Sequence, residues 1–466
     1  MDRNQATGLF LISALLLVYL FFFSPKAEPD KNKAQATTTT AAKTPAAAAA
    51  APSPGIPPVV ALDSAAGPVR SIELKNPELT LTFSTQGGRV AAVRLNKYKT
   101  FFGKPLDLFD AQSARYNTTL TTIGGQKVDF ARLNFQASEA TASADGGQQV
   151  TFTAPVGSGT VTQTYTVPKA GYEVKYNLKL NGVAVAEPLK LSFVDNVRQT
   201  EQDLKQNRNH TTINHYQATG DHNALAEASE KPEEVTVNAP LLWAADKHDF
   251  FVAGLVADSQ PFVNGQFNAT VNLADSTYIK TLSTTLALPA ADVTSAAGGQ
   301  YRFFFGPNQF SLLKSVAPGF DRNVYLGWGL FRWVNRFVVL PVFTFLEQYI
   351  SSYGVIILLL VVLIKLVTWP LTYKTYESQA RMKVLKPELD EIKAKHPDDA
   401  AKTQQETMKL YTQFGVSPLS GCVPTLLTLP ILFAMFQFFP NAIELRQQPF
   451  LWAPDLSTYD NAIHLP

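Results

Sequence analysis

From about Val69 to Phe305, apolar and polar residues alternate along the chain. The stretch E-L-T-L-T-F places Leu79, Leu81 and Phe83 on one face of an extended backbone. Y-E-V-K-Y-N-L-K-L does the same with Tyr172, Val174, Tyr176, Leu178 and Leu180. V-T-F-T, V-T-Q-T-Y-T-V, L-K-L-S-F and A-T-V-N-L repeat the period, with turn residues between them. Neighbouring side chains of a strand point to opposite faces. Many short alternating runs therefore predict a large all-β antiparallel sandwich over 69–306, each sheet with one face inward and one wet. The polar stretch 220–235 reads as loop or short helix.

Near Pro307 the period becomes helical. Asn323 to Ile350 is rich in Trp and Phe and interrupted by Arg332, Arg336 and Pro341, a composition suited to a helix lying in a bilayer interface. A buried core helix is the competing reading for this connecting region, 307–350. Three runs are apolar enough for lipid: Gly8 to Ser24, about Tyr353 to Leu371, and about Cys422 to Phe439. Each approaches the ~20 residues that cross a hydrocarbon layer of ~30 Å. The predicted chain thus has an anchor (1–24) and transmembrane helices over 351–372 and 416–440. It is a multi-domain integral membrane protein.

The first run has only Arg3 before it, and F-F-F-S-P-K offers no A-x-A-like cleavage site, so an uncleaved anchor is expected rather than a signal peptide. Residues 25–68 are Ala, Thr, Pro and Lys with few large apolar groups. Such a segment buries too little surface to offset its ordering entropy and reads as a flexible tether.

Residues 373–415 read as a helical hairpin. Met382, Leu385, Leu389 and Ile392 fall at helical spacing, and Asp398 or Asp399 is placed to cap a second helix carrying Met408, Tyr411 and Phe414. The turn falls near His396-Pro397. Lys374, Arg381, Lys383, Lys386, Lys393, Lys395, Lys402 and Lys409 all lie in this loop, whereas 441–466 hold only Arg446. The positive-inside rule then puts the hairpin and N-terminus in the cytoplasm and the β-domain outside. Lys26, Lys31 and Lys33, just after the first run, oppose that orientation.

The formal net charge of +2 gives no global field for nucleic acid, and a single cysteine, Cys422, excludes an intramolecular disulfide and any cluster of thiolate ligands. No nucleophile elbow, zinc-helix or phosphate-loop motif is present, and the histidines are scattered, His210 and His215 being the nearest pair. The sequence calls for no metal, no cofactor and no enzyme activity.

The informative residue is Lys365, in V-L-I-K-L-V-T-W-P-L-T. A lysine near the centre of a membrane helix costs ~2.5–3.5 kcal/mol and normally faces a wet cavity or a partner. The alternative is snorkelling toward Lys374, ~13 Å further along a helix axis, which a lysine stem covers only in part. Thr368 shares its face, and Thr425 and Thr428 share one on the next span. These four residues, Lys365, Thr368, Thr425 and Thr428, predict a polar groove.

I-K-L-V-T-W-P-L-T, the charged hairpin, V-S-P-L-S-G-C-V-P-T-L-L-T-L-P-I-L-F-A-M-F and E-L-R-Q-Q-P-F-L-W-A-P-D-L-S together resemble the YidC/Oxa/Alb family of membrane protein insertases. The leading anchor and large β-domain look like its Gram-negative form, as does F-F-G-P followed by L-L-K-S-V-A-P-G-F. The resemblance implies a five-helix core around a groove open to cytoplasm and lipid, in a bacterial inner membrane. It implies nascent integral membrane proteins as clients, with Sec translocase components, ribosome–nascent-chain complexes and lipids as partners. Met382, Leu385, Leu389 and Ile392 are the residues expected to capture clients. The family's groove charge is usually arginine, so Lys365 departs from it and loses the forked geometry for a carboxylate. The family also carries two spans beyond the position of Pro466, so a C-terminally truncated core is expected. Two other readings stay open: a membrane-anchored carbohydrate-binding or modifying protein of the cell envelope, and an ion or solute transporter.

Overall fold

The computed structural model describes residues 68–459 apart from 276, 398 and 415–422. The expected anchor and, but for Pro68, the tether lie outside the described residues, as does Asp398.

Three antiparallel sheets build the first two thirds of the described chain. A four-stranded meander runs Ser71–Lys75, Leu79–Ser84, Arg89–Lys99, Pro105–Phe109. A six-stranded sheet is centred on Leu189–Arg198, flanked by Tyr278–Leu288 and Ala114–Thr121. A ten-stranded sheet has Gly299–Pro307 between Phe251–Ala257 and Glu173–Asn181. Alternation predicted the inward faces: Leu79, Leu81 and Phe83 are fully buried, as are Val174 and Leu178. Aromatic rings pack both within and between the sheets. Tyr165 stacks on Tyr176 at 4.8 Å, Tyr116 on Phe193 at 4.0 Å, and Tyr116 meets Phe303 edge-on at 5.3 Å. The 220–235 stretch is not helical: His222–Ala224 and the start of Glu233–Val237 add edge strands to two sheets.

Leu241–His248 and Phe251–Ala257 break the alternation, because almost every residue in them is buried. Both faces of this part of the large sheet are covered, and a strand covered on both faces has no wet side to alternate with. The second cover is helical. Nine α-helices are described: α1 (Leu204–Asn209), α2 (Ala290–Val293), α3 (Phe310–Val316), α4 (Gly329–Val334), α5 (Leu340–Glu347), α6 (Tyr353–Val384), α7 (Lys386–Lys395), α8 (Ala400–Gln413) and α9 (Val423–Phe438). A second apolar cluster starts on the sheet at Trp243, Val252 and Phe304. It passes through Leu313 and Phe320 to Phe343, Ile356, Leu360, Ala434 and Phe438 on the helices that follow. Gly254 permits this contact, since a Cβ there would stand 2.7 Å from the Phe320 ring.

The helix that carries the 351–372 run extends past its expected boundary. Pro370 was expected near the end of its helix; instead α6 continues through it to Val384. Proline removes one backbone hydrogen bond, a break that membrane helices tolerate where neighbouring groups compensate. At 32 residues, α6 is about 48 Å long, so it outruns a ~30 Å hydrocarbon layer. Between α4 and α5 a π-turn spans Asn335–Val339 directly before Pro341, whose missing N–H interrupts the α ladder there. Gly329–Glu347 has the length and mean hydropathy of a spanning helix (1.3), as Tyr353–Pro370 does (2.2). The two differ in polarity: Arg336 pairs with Asp321, and Arg332 donates to the Gly327 carbonyl, while Leu330, Trp333 and Phe337 are exposed.

A polar seam lies between the two larger sheets. Asp195, Asp246, Lys247, His248 and Lys280 are all buried there. Asp195 meets His248 Nε2 at 2.9 Å, and the Thr284 hydroxyl donates to Asp246. Burial, with Asp195 adding like charge, pushes the Asp246 carboxyl up to about 7. Because that value lies above the unfolded one, the contribution is fully present below pH ~3.9 and is lost as pH rises through about 7. Burial pushes His215 and His222 down to about 4; their contribution is present above pH ~6.5 and lost as pH falls through about 4. Asp246→Asn keeps the acceptor for Thr284 and removes only the titration. Its melting temperature relative to wild type is expected to rise between pH 5 and about pH 7, by the equivalent of roughly 1–3 kcal/mol, and to level off by pH 8. A flat difference across that range would show that Asp246 does not titrate there.

Candidate functional site

The seam between α6 and α9 changes character along its length. On α6, Ile356, Leu360, Ile364, Thr368 and Thr372 stand four residues apart and so form one row. Ile356 and Leu360 are buried against Ala434 and Phe438 of α9, with Ile364, Ile431 and Met435 partly buried beside them. Beyond Ile364 the α6 row turns to threonine. The Thr368 hydroxyl donates back to Ile364 O at 2.9 Å, and Thr372 to Thr368 O at 2.9 Å. Both donors are therefore spent on their own helix, which leaves oxygen lone pairs facing outward. On α9, Thr428 is half-buried, and the side chain of Thr425 lies outside the described residues.

Lys365 flanks this row and is exposed. Among the described residues no carboxylate pairs with it. Thr372 was missed by the sequence reading, although its spacing of four from Thr368 carried the signal. The opposite end of the seam is closed. Asn335, fully buried in the π-turn, donates to Leu326 O at 2.9 Å and to Ala434 O at 2.7 Å, binding α9 to the segment before α4. An apolar, hydrogen-bonded end toward the β-domain and a hydroxyl-lined end toward the hairpin give the seam a direction.

The hairpin forms as its spacing predicts. Asp399 caps α8 by accepting from Lys402 N at 3.0 Å, and His396 meets Glu406 at 3.3 Å across the turn. The apolar line is distributed differently. Met382 lies on the last turn of α6 and is half-buried, Leu385 is buried at the α6–α7 junction, and Leu389 and Ile392 are half-buried on α7. Among the described residues, the hairpin stretch exposes Val384, Met408 and Phe414, with Tyr373 and Tyr376 exposed at its start.

The paired histidines serve the β-domain: His210 Nδ1 meets Asp249 at 3.0 Å, and His215 stacks on Phe267 at 4.6 Å.

A contact absent from the sequence reading joins the β-domain to the chain after α9. Arg446, 5% exposed, forks onto Glu201 (2.9–3.0 Å), donates to Lys99 O at 2.7 Å and lies over the Phe251 ring. Burial pushes the Glu201 carboxyl up to about 7, against the opposing pull of Arg446.

Two family models match the chain, that of the YidC periplasmic domain over residues 71–340 and that of the 60Kd inner membrane protein over residues 345–466. Over 474 residues the chain is 40% identical to a membrane protein insertase YidC of Amoebophilus asiaticus, with 100% of this chain and 79% of that protein aligned. It is 39% identical over 497 residues to the one of Cytophaga hutchinsonii, covering 100% of this chain and 78% of that protein. Identity to the one of Parabacteroides distasonis is 37% over 418 residues, covering 85% of this chain and 64% of that protein.

Proposed function

The chain belongs to the YidC family of membrane protein insertases, inner membrane proteins with a periplasmic domain, and on that premise we propose how its seam works. The end of the α6–α9 seam nearest the hairpin receives the hydrophilic, acidic tail of a client while the client's apolar segment partitions sideways into lipid. One observation carries this reading: the seam turns from aliphatic to hydroxyl-lined at Thr368, with an exposed Lys365 beside it.

Each group has a task in that scheme. Thr368 and Thr372, with the threonines of α9, offer oxygen acceptors that replace part of the tail's hydration, lowering the desolvation barrier of polar groups in lipid. Lys365 supplies a compact positive charge that attracts carboxylates without requiring the two-point geometry of arginine. Asn335 seals the far end, so a tail resting in the groove is held short of the β-domain side. The driving force is burial of the client's own apolar surface, about 25 cal/mol per Å², assisted by the membrane potential acting on charge. On the cytoplasmic side, Val384, Met408 and Phe414 present the exposed apolar surface for first capture, with Met382, Leu389 and Ile392 shaping the hairpin behind them. Sec translocase components and ribosome–nascent-chain complexes are the partners that this placement fits. The β-domain lies in the periplasm, the hairpin in the cytoplasm, and Gly329–Glu347 along the interface, its arginines turned to the β-domain junction.

The test is insertion of a small acidic-tailed client into vesicles by full-length protein, read as protease protection of the tail. Lys365→Ala is expected to lower the initial rate roughly fivefold to tenfold, about 1–1.4 kcal/mol of lost attraction, and Lys365→Arg to retain it. Equal rates at equal protein levels would remove the lysine from the mechanism.

A further inference from the structure

The segment after Arg446 is a closed loop with an apolar tip. Its base is moored to the β-domain at both ends: Arg446 on Glu201, Gln447 Nε2 on the carbonyls of Lys99 and Thr100, and the Thr458 hydroxyl on Gln202. Asp455 Oδ1 accepts from Gln447 N, Ser457 N and Ser457 Oγ at 2.7–3.0 Å, which cross-braces the loop. At the far end Phe450 and Ala453 exchange both backbone hydrogen bonds, at 2.9 and 3.0 Å, around a two-residue turn. That turn is Leu451-Trp452.

The tip breaks two rules at once. Leu451 has φ +53°, in the left-handed region where a branched side chain costs ~1–2 kcal/mol and glycine is the usual occupant. It is also 76% exposed and Trp452 is 74% exposed, in a loop whose other large apolar residues, Phe450 and Leu456, are half-buried. Strain held by a braced frame, presenting bulky apolar groups outward, points to a partner for them.

The depth of the tip identifies that partner. Phe450 packs on Gly354, where a Cβ would fall 2.0 Å from the ring. Gly354 is the second residue of α6, at the start of the apolar window Tyr353–Pro370. The tip follows Phe450 by one and two residues and lies within about 7 Å of it along the chain. It therefore stands where a spanning helix meets headgroups, the level at which tryptophan is enriched.

We propose that Leu451 and Trp452 form a lipid-facing tip, seated in the interface of the leaflet on the β-domain side. The tip, Phe450 and the Arg446 mooring together set the height of the β-domain above the bilayer. The proposal goes beyond insertion chemistry and rests only on α6 crossing the membrane.

The experiment uses full-length protein in vesicles of phosphatidylethanolamine and phosphatidylglycerol. A nitroxide is placed at position 452 through Trp452→Cys in a Cys422→Ser background. Collision with oxygen, which concentrates in lipid, is compared with collision with a water-soluble nickel chelate. The expected oxygen-to-nickel ratio at 452 exceeds that at a Tyr459→Cys label several-fold and approaches that of Val362→Cys on α6. A ratio at 452 equal to that at 459 overturns the proposal, and so does shielding from both reagents, which would mean protein covers the tip. The Val362 label reports lipid contact of α6 in either case, so failure of the tip is separable from failure of the membrane reading. Because the label replaces the indole, a second measurement keeps it: quenching by brominated lipid, taken as the difference between wild type and Trp452→Phe. Loss of quenchable emission in the variant is expected; identical quenching of the two proteins overturns the proposal.

Discussion

Replacing Arg446 by alanine is expected to destabilise the protein by about 3–5 kcal/mol, the cost of stranding one partner of a buried ion pair. The guanidinium is almost wholly enclosed and satisfies two acceptors at once, the Glu201 carboxylate and the Lys99 carbonyl. Its removal leaves Glu201 buried beside Asp249 with no cation. The effect depends on pH with a definite sign. Glu201 is already raised to about 7, above its unfolded value, so its favourable contribution is present below pH ~4.3 and lost as pH rises through about 7. Arg446 limits that loss, so the cost of Arg446→Ala should be smaller at pH 6 than at pH 8. Adding Glu201→Gln to the variant should recover part of the stability, because a neutral amide tolerates burial better. Thermal unfolding of the four proteins at both pH values measures the coupling. Additive effects would show that the two side chains are near neighbours without being a working pair.

Trp243→Ala should cost a similar ~3–5 kcal/mol, the range for emptying a large aromatic site. Trp243 is fully buried, parallel to Tyr216 at 5.7 Å and edge-on to Phe320 at 4.9 Å, and its Nε1 donates to Pro318 O at 2.9 Å. Tyr216 lies on the same sheet, whereas Phe320 and Pro318 belong to the connection leading to α4. The cavity would therefore open between sheet and helices rather than within either. Limited proteolysis should then cut the connection 308–328 faster, while most of the β-domain core, which forms a separate cluster, stays resistant. Trp243→Phe keeps most of the packing and loses the indole donor, so about 1–2 kcal/mol is expected. Resistance of the connection in Trp243→Ala would show that other contacts hold the junction.

Local pattern revealed what local physics decides. Period-two alternation located the strands whose outer face is wet, and it failed at Leu241–His248, where a second layer from far along the chain covers the sheet. Helical spacing found the hairpin and narrowed its cap to Asp398 or Asp399; the structure gives Asp399. Spacing could not tell that Leu385 is enclosed while Val384 is exposed, since that depends on how α6 meets α7. Pro370 falls close to the expected end of its helix, at 372, and α6 passes through it to Val384. At the seam, Lys365 and Thr368 were legible as misfits in an apolar run. Thr372, at the last position of the expected span, carries no charge to mark it and adds to the row only once the helix is seen to continue. Arg446 was visible only as part of a motif, because its partner Glu201 is 245 residues away and no local rule connects them.

The continuity of α6 has a mechanical consequence. A helix continuous from Tyr353 to Val384 tilts as one rod, and α7 meets it only at the Leu385 junction beyond its end. Phe450 seated in the notch at Gly354 provides a fulcrum near one end. Val384 lies 30 residues from that fulcrum and Lys365 only 11, about 45 Å and 16 Å along the axis. A tilt about that point carries Lys365 through roughly a third of the distance it carries Val384. Coarse displacement at the Val384 end is thereby geared down to a fine adjustment at Lys365.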